Sequence, residues 1–220
     1  MKPRLVFLSA TIAAFVLSPH LATAQQEFPP PLGKGRVVVV AAGSSGALNY
    51  RQVAGEIAKL GYDAVLVEAN AWANAPERSL REAIAAARQM PHALPGKVGL
   101  VGFSLGGGYV LAHGTAWSDE VAVVAVWYPV TTTMKDVPAW ARQLRVPTVM
   151  FAGTDDINRC CRVDKARELG REAAAAGAPF ELTTYSNTPH GFVLGGEGYK
   201  PIPYGDAFAR TQAALKKALD

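Results

Sequence analysis

Short apolar runs recur along this chain, each parted from the next by a longer stretch with helical spacing. The runs are Val37–Ala42, Ala64–Val67, Val98–Val101, Val121–Trp127, Thr148–Ala152 and Phe180–Tyr185. Continuous Val- and Leu-rich runs of this length suit strands buried on both faces, where no position looks out on water. Between them, Arg51–Leu60, Pro76–Met90, Leu105–Gly114, Arg162–Ala176 and Tyr204–Leu219 read as helices. Gly61 and Gly177 follow two of these segments as C-caps. The alternation predicts an α/β fold: a mostly parallel sheet of about six core strands with helices on both faces. The last run alternates more than the others, which suits a sheet edge. In such sheets, ligands bind beyond the C-terminal ends of the strands. The residues of interest are therefore those in loops that follow strands.

The N-terminus stands apart from this pattern. A basic MKPR is followed by an apolar run, LVFLSATIAAFVL, and then by SPHLATA with Ala22-Thr23-Ala24 at its end. That order is the pattern of a secretory signal peptide, and the run falls short of the ~20 residues that a membrane span needs. The expected organisation is a signal peptide over 1–24, an extended leader over 25–35 and a single domain over 36–220. The exported chain would be periplasmic or secreted, with no membrane span after cleavage. Loss of Lys2 and Arg4 lowers the formal charge of +4 to +2. With no Lys/Arg cluster, nothing points to a nucleic-acid partner. Cys160 and Cys161 are the only cysteines. Two cysteines cannot close a structural zinc site, which takes four ligands. The reading favours two thiols over a bridge between neighbours; a bridge would stiffen the Asp155 loop.

The stretch Gly102-Phe103-Ser104-Leu105-Gly106-Gly107 joins the third run to a helix. A G-x-S-x-G at a strand–turn–helix junction is the pattern of a nucleophile elbow. The glycines let strand and helix approach without Cβ clashes, and the Leu105 N–H at the helix start can donate to a developing oxyanion. A serine nucleophile needs a base, and elimination points to His190. His20 leaves with the signal peptide. His92 precedes a strand and sits at the wrong end of the sheet. His113 lies about 13 Å along the helix from Ser104. His190 follows the last strand, between Pro189 and Gly191. An acid must orient the base. Asp63 and Asp119 precede strands, whereas Asp155 and Asp156 follow the fifth, so one of these two is the third member.

From about Arg36 to Leu219 the chain resembles the dienelactone hydrolase family of α/β-hydrolases. The resemblance rests on Val37–Gly46, Leu60-Gly61-Tyr62, Gly102–Gly107, Gly153–Asp156 and Pro189–Phe192. It implies an α/β-hydrolase fold and a triad of Ser104, Asp155 and His190, the first Asp of such a pair being the family acid. It also implies a second oxyanion donor within Gly43–Ser45, taken as the Ser44 N–H. Founding members carry cysteine where this chain has Ser104, and a glutamate in the loop that here reads Ala41–Ser45. The hydrolase class survives both departures, while the dienelactone substrate is loosened.

The expected function is an exported serine hydrolase that cleaves a carboxylic ester or lactone through an acyl-enzyme, with no cofactor and no metal. Its partner is a small-molecule ester or lactone. A small peptidase or amidase would use the same triad, and a non-catalytic hydrolase-like binding protein is the third reading. A dinucleotide-binding protein is disfavoured, because Ala42–Gly46 lacks the G-x-G-x-x-G spacing. Trp72, Trp127 and Tyr128 are candidate pocket residues, and Arg78 or Arg81 could meet a substrate carboxylate. No large lid is expected; Pro129–Val146, with Trp140, is the nearest thing to a cap.

Overall fold

The computed structural model describes residues 25–220, and the signal peptide expected over residues 1–24 lies outside them. The described strands are β1 (Gln25–Phe28), β2 (Gly35–Ala41), β3 (Asp63–Val67), β4 (Ala93–Phe103), β5 (Val121–Trp127), β6 (Thr148–Gly153) and β7 (Phe180–Tyr185). They form one sheet in the order β1-β3-β2-β4-β5-β6-β7. Every neighbouring pair is parallel except β1–β3. The helices are α1 (Arg51–Lys59), α2 (Pro76–Ala87), α3 (Ser104–His113), α4 (Val137–Gln143), α5 (Val163–Ala175) and α6 (Pro201–Leu219). No helix among the described residues is long and apolar enough to cross a membrane.

Strand pleat divides the apolar runs between two cores. Val37, Val39 and Ala41 of β2 face one side, with Leu80 and Ile84 of α2, Val110 and Leu111 of α3 and Leu169 of α5. Val38 and Val40 face the other, with Val53 and Ile57 of α1 and Ala207 and Leu215 of α6. Each fully buried Val, Leu or Ile contributes about 1.5–3 kcal/mol of transfer free energy. Because both faces are covered, the stretches Val37–Ala41, Val98–Phe103 and Val121–Trp127 of the central strands carry no polar side chain. Strand β7 has no fully buried residue and lies at the edge, as its sequence suggests.

Two elements differ from the sequence reading. Gln25–Phe28, read as part of an extended leader, is extended but is a strand of the sheet, pairing Gln25 with Val67 and Phe28 with Ala64. Its four residues are too few to show a period. Helix α4 lies inside the long loop after β5. The Asp136 side chain caps it by accepting from the Ala139 N–H at 2.9 Å, and Pro138 sits in its first turn.

The N-terminal ends of the strands hold a buried acid. Asp63 is fully buried, and neither carboxylate oxygen has a hydrogen-bond partner among the described residues. Burial, reinforced by the nearby Glu27 carboxylate and opposed by His92, pushes its pKa up to about 6. The folded chain then holds this proton more tightly than the unfolded chain does. Stability therefore falls as pH rises from about 4 through about 6, and is lowest above that window. Asp63→Asn is expected to raise the unfolding free energy by about 1–2 kcal/mol near pH 7.5 and by little near pH 4. Urea titrations at the two pH values check this; equal gains at both would contradict the assignment. His92 also lies at this end, with its Nδ1 3.0 Å from Glu27 Oε1.

Candidate active site

The site is built at the opposite, C-terminal ends of the strands. Strand β4 runs straight into α3, and Ser104 takes the sharp turn between them with a φ of +47°. This is left-handed backbone that a non-glycine residue adopts only when its surroundings impose it. The surroundings here are close on both sides. A Cβ on Gly102 would lie 2.7 Å from the Gly107 Cα, and a Cβ on Gly106 would collide with the Ala42 carbonyl oxygen. The Gly106 N–H donates to that same oxygen at 3.1 Å, pinning the first turn of α3 to the loop after β2. Ser104 is 6% exposed.

His190 reaches the serine from the loop after β7. Its Nε2 lies 2.9 Å from Ser104 Oγ, and its Nδ1 lies 2.6 Å from Asp156 Oδ2. A neutral imidazole carries one ring proton. A carboxylate can only accept, so that proton sits on Nδ1 and Nε2 accepts from the serine hydroxyl. The Asp156 side chain is 1% exposed, while that of His190 is 23% exposed. The imidazole is therefore open to solvent and the carboxylate behind it is sealed.

The acid in contact is Asp156, which corrects the assignment of Asp155. The Asp155 N–H donates to the Thr188 carbonyl at 3.0 Å, and the Thr154 N–H donates to the Tyr185 carbonyl at 2.9 Å. These bonds extend the β6–β7 pairing past the strand ends. They turn the Asp155 side chain outward, where it accepts from the Thr154 hydroxyl. The next side chain, that of Asp156, points inward. Its second oxygen accepts from the Asn158 N–H at 3.0 Å.

The two expected oxyanion donors come from two different segments. The Leu105 N–H is in the first turn of α3, where a helix has no internal partner for it, and Ser44 is in the loop after β2. No hydrogen bond among the described residues takes up either N–H. Ser44 is held by its carbonyl, which accepts from the Asn70 side-chain amide at 3.3 Å.

Two tyrosines wall the site. Tyr128, at φ +38° just past β5, packs edge-on against the His190 ring with centroids 4.8 Å apart. Its hydroxyl is buried without a hydrogen-bond partner among the described residues. Burial, with the Tyr50 phenol beside it, pushes its pKa well above the usual 10. The Tyr50 hydroxyl comes so close to Gly43 that a Cβ there would collide with it, and that Cβ would also sit 3.0 Å from the Ser104 Cβ. Burial raises the Tyr50 pKa as well, so both phenols stay neutral near pH 7. Tyr50 ends a short 3-10 turn, Ala47–Tyr50. Nothing in its local sequence marks it as a site residue.

Other candidates lie elsewhere. Trp72 and Trp127 are fully buried in the two cores. Arg78 pairs with Glu82; Arg81 pairs with Glu77 and Glu120 and stacks over the Trp117 ring. His113 packs on Trp117 and its pKa is lowered by burial. A groove of about 920 Å³ borders Lys97, Val121, Pro147, Phe180 and Lys217, and none of Ser104, Asp156 or His190 lines it. Cys160 and Cys161 are joined by a disulfide rather than held as two thiols. The Cys161 N–H folds back onto the Asn158 carbonyl at 3.0 Å.

A family model described as the dienelactone hydrolase family matches residues 66–219. Among curated proteins no significant match was found. Solved structures align over most of the chain. One, named a candidate dienelactone hydrolase from Klebsiella pneumoniae subsp. pneumoniae MGH 78578, is 18% identical with a TM-score of 0.75, covering 88% of this chain and 92% of its own. Another is P91 from metagenomic libraries, named a dienelactone hydrolase-like promiscuous phosphotriesterase. It is 14% identical with a TM-score of 0.70, covering 86% and 89%. The propionate-bound esterase Est2 of Thermogutta terrifontis is 16% identical with a TM-score of 0.64, covering 88% of each chain. At these identities the likeness is one of fold.

Proposed function

We propose, from the premise that the chain belongs to the dienelactone hydrolase family, that it is an exported serine hydrolase of small carboxylic esters or lactones. The observation that carries this reading is the relay Ser104 Oγ–His190 Nε2 at 2.9 Å and His190 Nδ1–Asp156 Oδ2 at 2.6 Å. Ser104 attacks the carbonyl carbon as His190 Nε2 takes its proton, and Asp156 holds the ring and stabilises the imidazolium. The Leu105 and Ser44 N–H groups receive the oxyanion. His190 returns the proton to the leaving alcohol, giving an acyl-serine. Water, deprotonated by the same nitrogen, then releases the acid and restores Ser104.

The chemistry of structural neighbours supports a phosphorus- and ester-reactive serine here. Est2 structures are named as phosphorylated by paraoxon and phosphoramylated by tabun. The part-exposed His190 and the absence of a lid domain among the described residues favour small or open-access substrates. Export is supported by the basic, apolar and small-residue order of the first 24 residues and by a bridged cysteine pair, which persists in an oxidising compartment.

The test is a panel of p-nitrophenyl acetate, butyrate and octanoate, a simple lactone and matching p-nitroanilides. A burst of about one nitrophenolate per chain is expected with acetate. Short esters should exceed anilides by at least about 100-fold in kcat/KM. Faster anilide cleavage would favour the amidase reading, and no turnover of any substrate would favour the binding protein.

A further inference from the structure

We propose that the Cys160–Cys161 disulfide is a positioning element of the triad, holding the Asp156 carboxylate in line with His190. The inference rests on the triad reading above. The connection from β6 to α5 is fastened at its near end by the bonds of Thr154 and Asp155 to the β7 side. Its far end is fastened at the Cys160 carbonyl, which accepts from the Thr131 N–H at 2.7 Å and from the Thr131 hydroxyl at 3.1 Å. Between these anchors the segment has little packing of its own. Ile157 is 90% exposed, and Asn158 and Arg159 are exposed too.

Asp156 lies in this thinly supported stretch and is held by two linked turns. Asn158 N–H donates to its carboxylate, and Cys161 N–H donates to the Asn158 carbonyl. Cys161 is the buried end of the arrangement, 3% exposed. Its Sγ, a carboxylate oxygen of Asp156 and a ring nitrogen of His190 all lie within 4.8 Å of one another. Bridging Cys160 to Cys161 closes a small covalent ring that fixes the peptide between them and both side-chain torsions. The sulfur beside the acid therefore cannot rotate away. In the bridge, Cys161 is no thiolate and does not compete with Asp156 for the imidazole.

A dithiol reductant opens the device. One of its thiolates attacks the part-exposed Cys160 sulfur, the S–S bond breaks, and Cys161 leaves and takes up a proton. The second thiol of the reductant then displaces Cys160 and closes the reductant's own disulfide. Two electrons and two protons pass to the protein.

The experiment compares oxidised, reduced and reoxidised wild type with Cys160→Ser/Cys161→Ser, on p-nitrophenyl acetate. Alkylation and intact mass assign the thiol state. Reduction is expected to lower kcat by about ten- to a hundred-fold, the cost of a misplaced catalytic group, with KM changed less than about two-fold. Reoxidation restores the rate, and the double variant behaves as the reduced enzyme without reductant. In Asp156→Asn, reduction adds nothing, because the bridge acts through Asp156. Equal kcat in the oxidised and the fully alkylated reduced protein would overturn the proposal. So would an undiminished effect in Asp156→Asn, or loss of near-ultraviolet circular dichroism on reduction, which would assign the bridge to the fold at large. Absence of ester turnover in the oxidised wild type is a different failure: it overturns the hydrolase reading on which the proposal depends.

Discussion

Ser104→Ala is expected to lower kcat/KM for p-nitrophenyl acetate by at least about 10⁴-fold while the protein stays folded. Alanine removes only the hydroxyl. The φ of +47° at this position is imposed by the Gly102–Gly107 and Gly106–Ala42 contacts, which the substitution leaves in place. His190→Ala should fall to a similar level, because nucleophile and base act as a unit. Combining the two should cost little more than either alone. Steady-state kinetics with circular dichroism as the folding control checks both. A single variant that keeps wild-type turnover would remove its residue from the reaction.

The second large effect separates two adjacent residues. Asp156→Asn should lower kcat by about 10³- to 10⁴-fold, because an amide can donate to Nδ1 and so stabilise the wrong tautomer of His190. Asp155→Asn should change kcat by less than about two-fold, since that carboxylate is exposed and, among the described residues, bonded only to the Thr154 hydroxyl. Parallel kinetics on the two variants measures the contrast. The opposite ranking would restore Asp155 as the acid and contradict the 2.6 Å contact between His190 and Asp156.

The fold was legible because burial on both faces leaves a strong mark. Runs such as Val37–Ala42 and Val121–Trp127 have no polar position to confuse their reading, and the glycine and proline punctuation falls at their ends. Strand β1 was not legible: its half-buried residues carry no period, and it is defined by the partner it meets, β3. Helix α4 was hidden for a similar reason, being a short capped turn in a proline-containing loop.

At the site, Ser104 and His190 could be found from chain order, since topology alone decides which loops share the C-terminal edge. The choice between Asp155 and Asp156 could not. It depends on how far the β6–β7 pairing runs past Gly153, and one further hydrogen bond, Asp155 N–H to Thr188, reverses which side chain points inward. Tyr50, and the approach of Cys161 to His190, were beyond reach because both are contacts between residues distant in sequence. Tyr50 touches the elbow across the loop after β2, and Cys161 meets His190 only once β6 and β7 lie side by side.

The most direct test of an activated Ser104 is covalent labelling. Wild type and Ser104→Ala are treated with a fluorophosphonate probe, then assayed by gel fluorescence and by intact mass with peptide mapping. One adduct per wild-type chain, mapped to Ser104 and absent from the variant, is the predicted result. Equal labelling of both proteins, or labelling of neither, would contradict the serine hydrolase account.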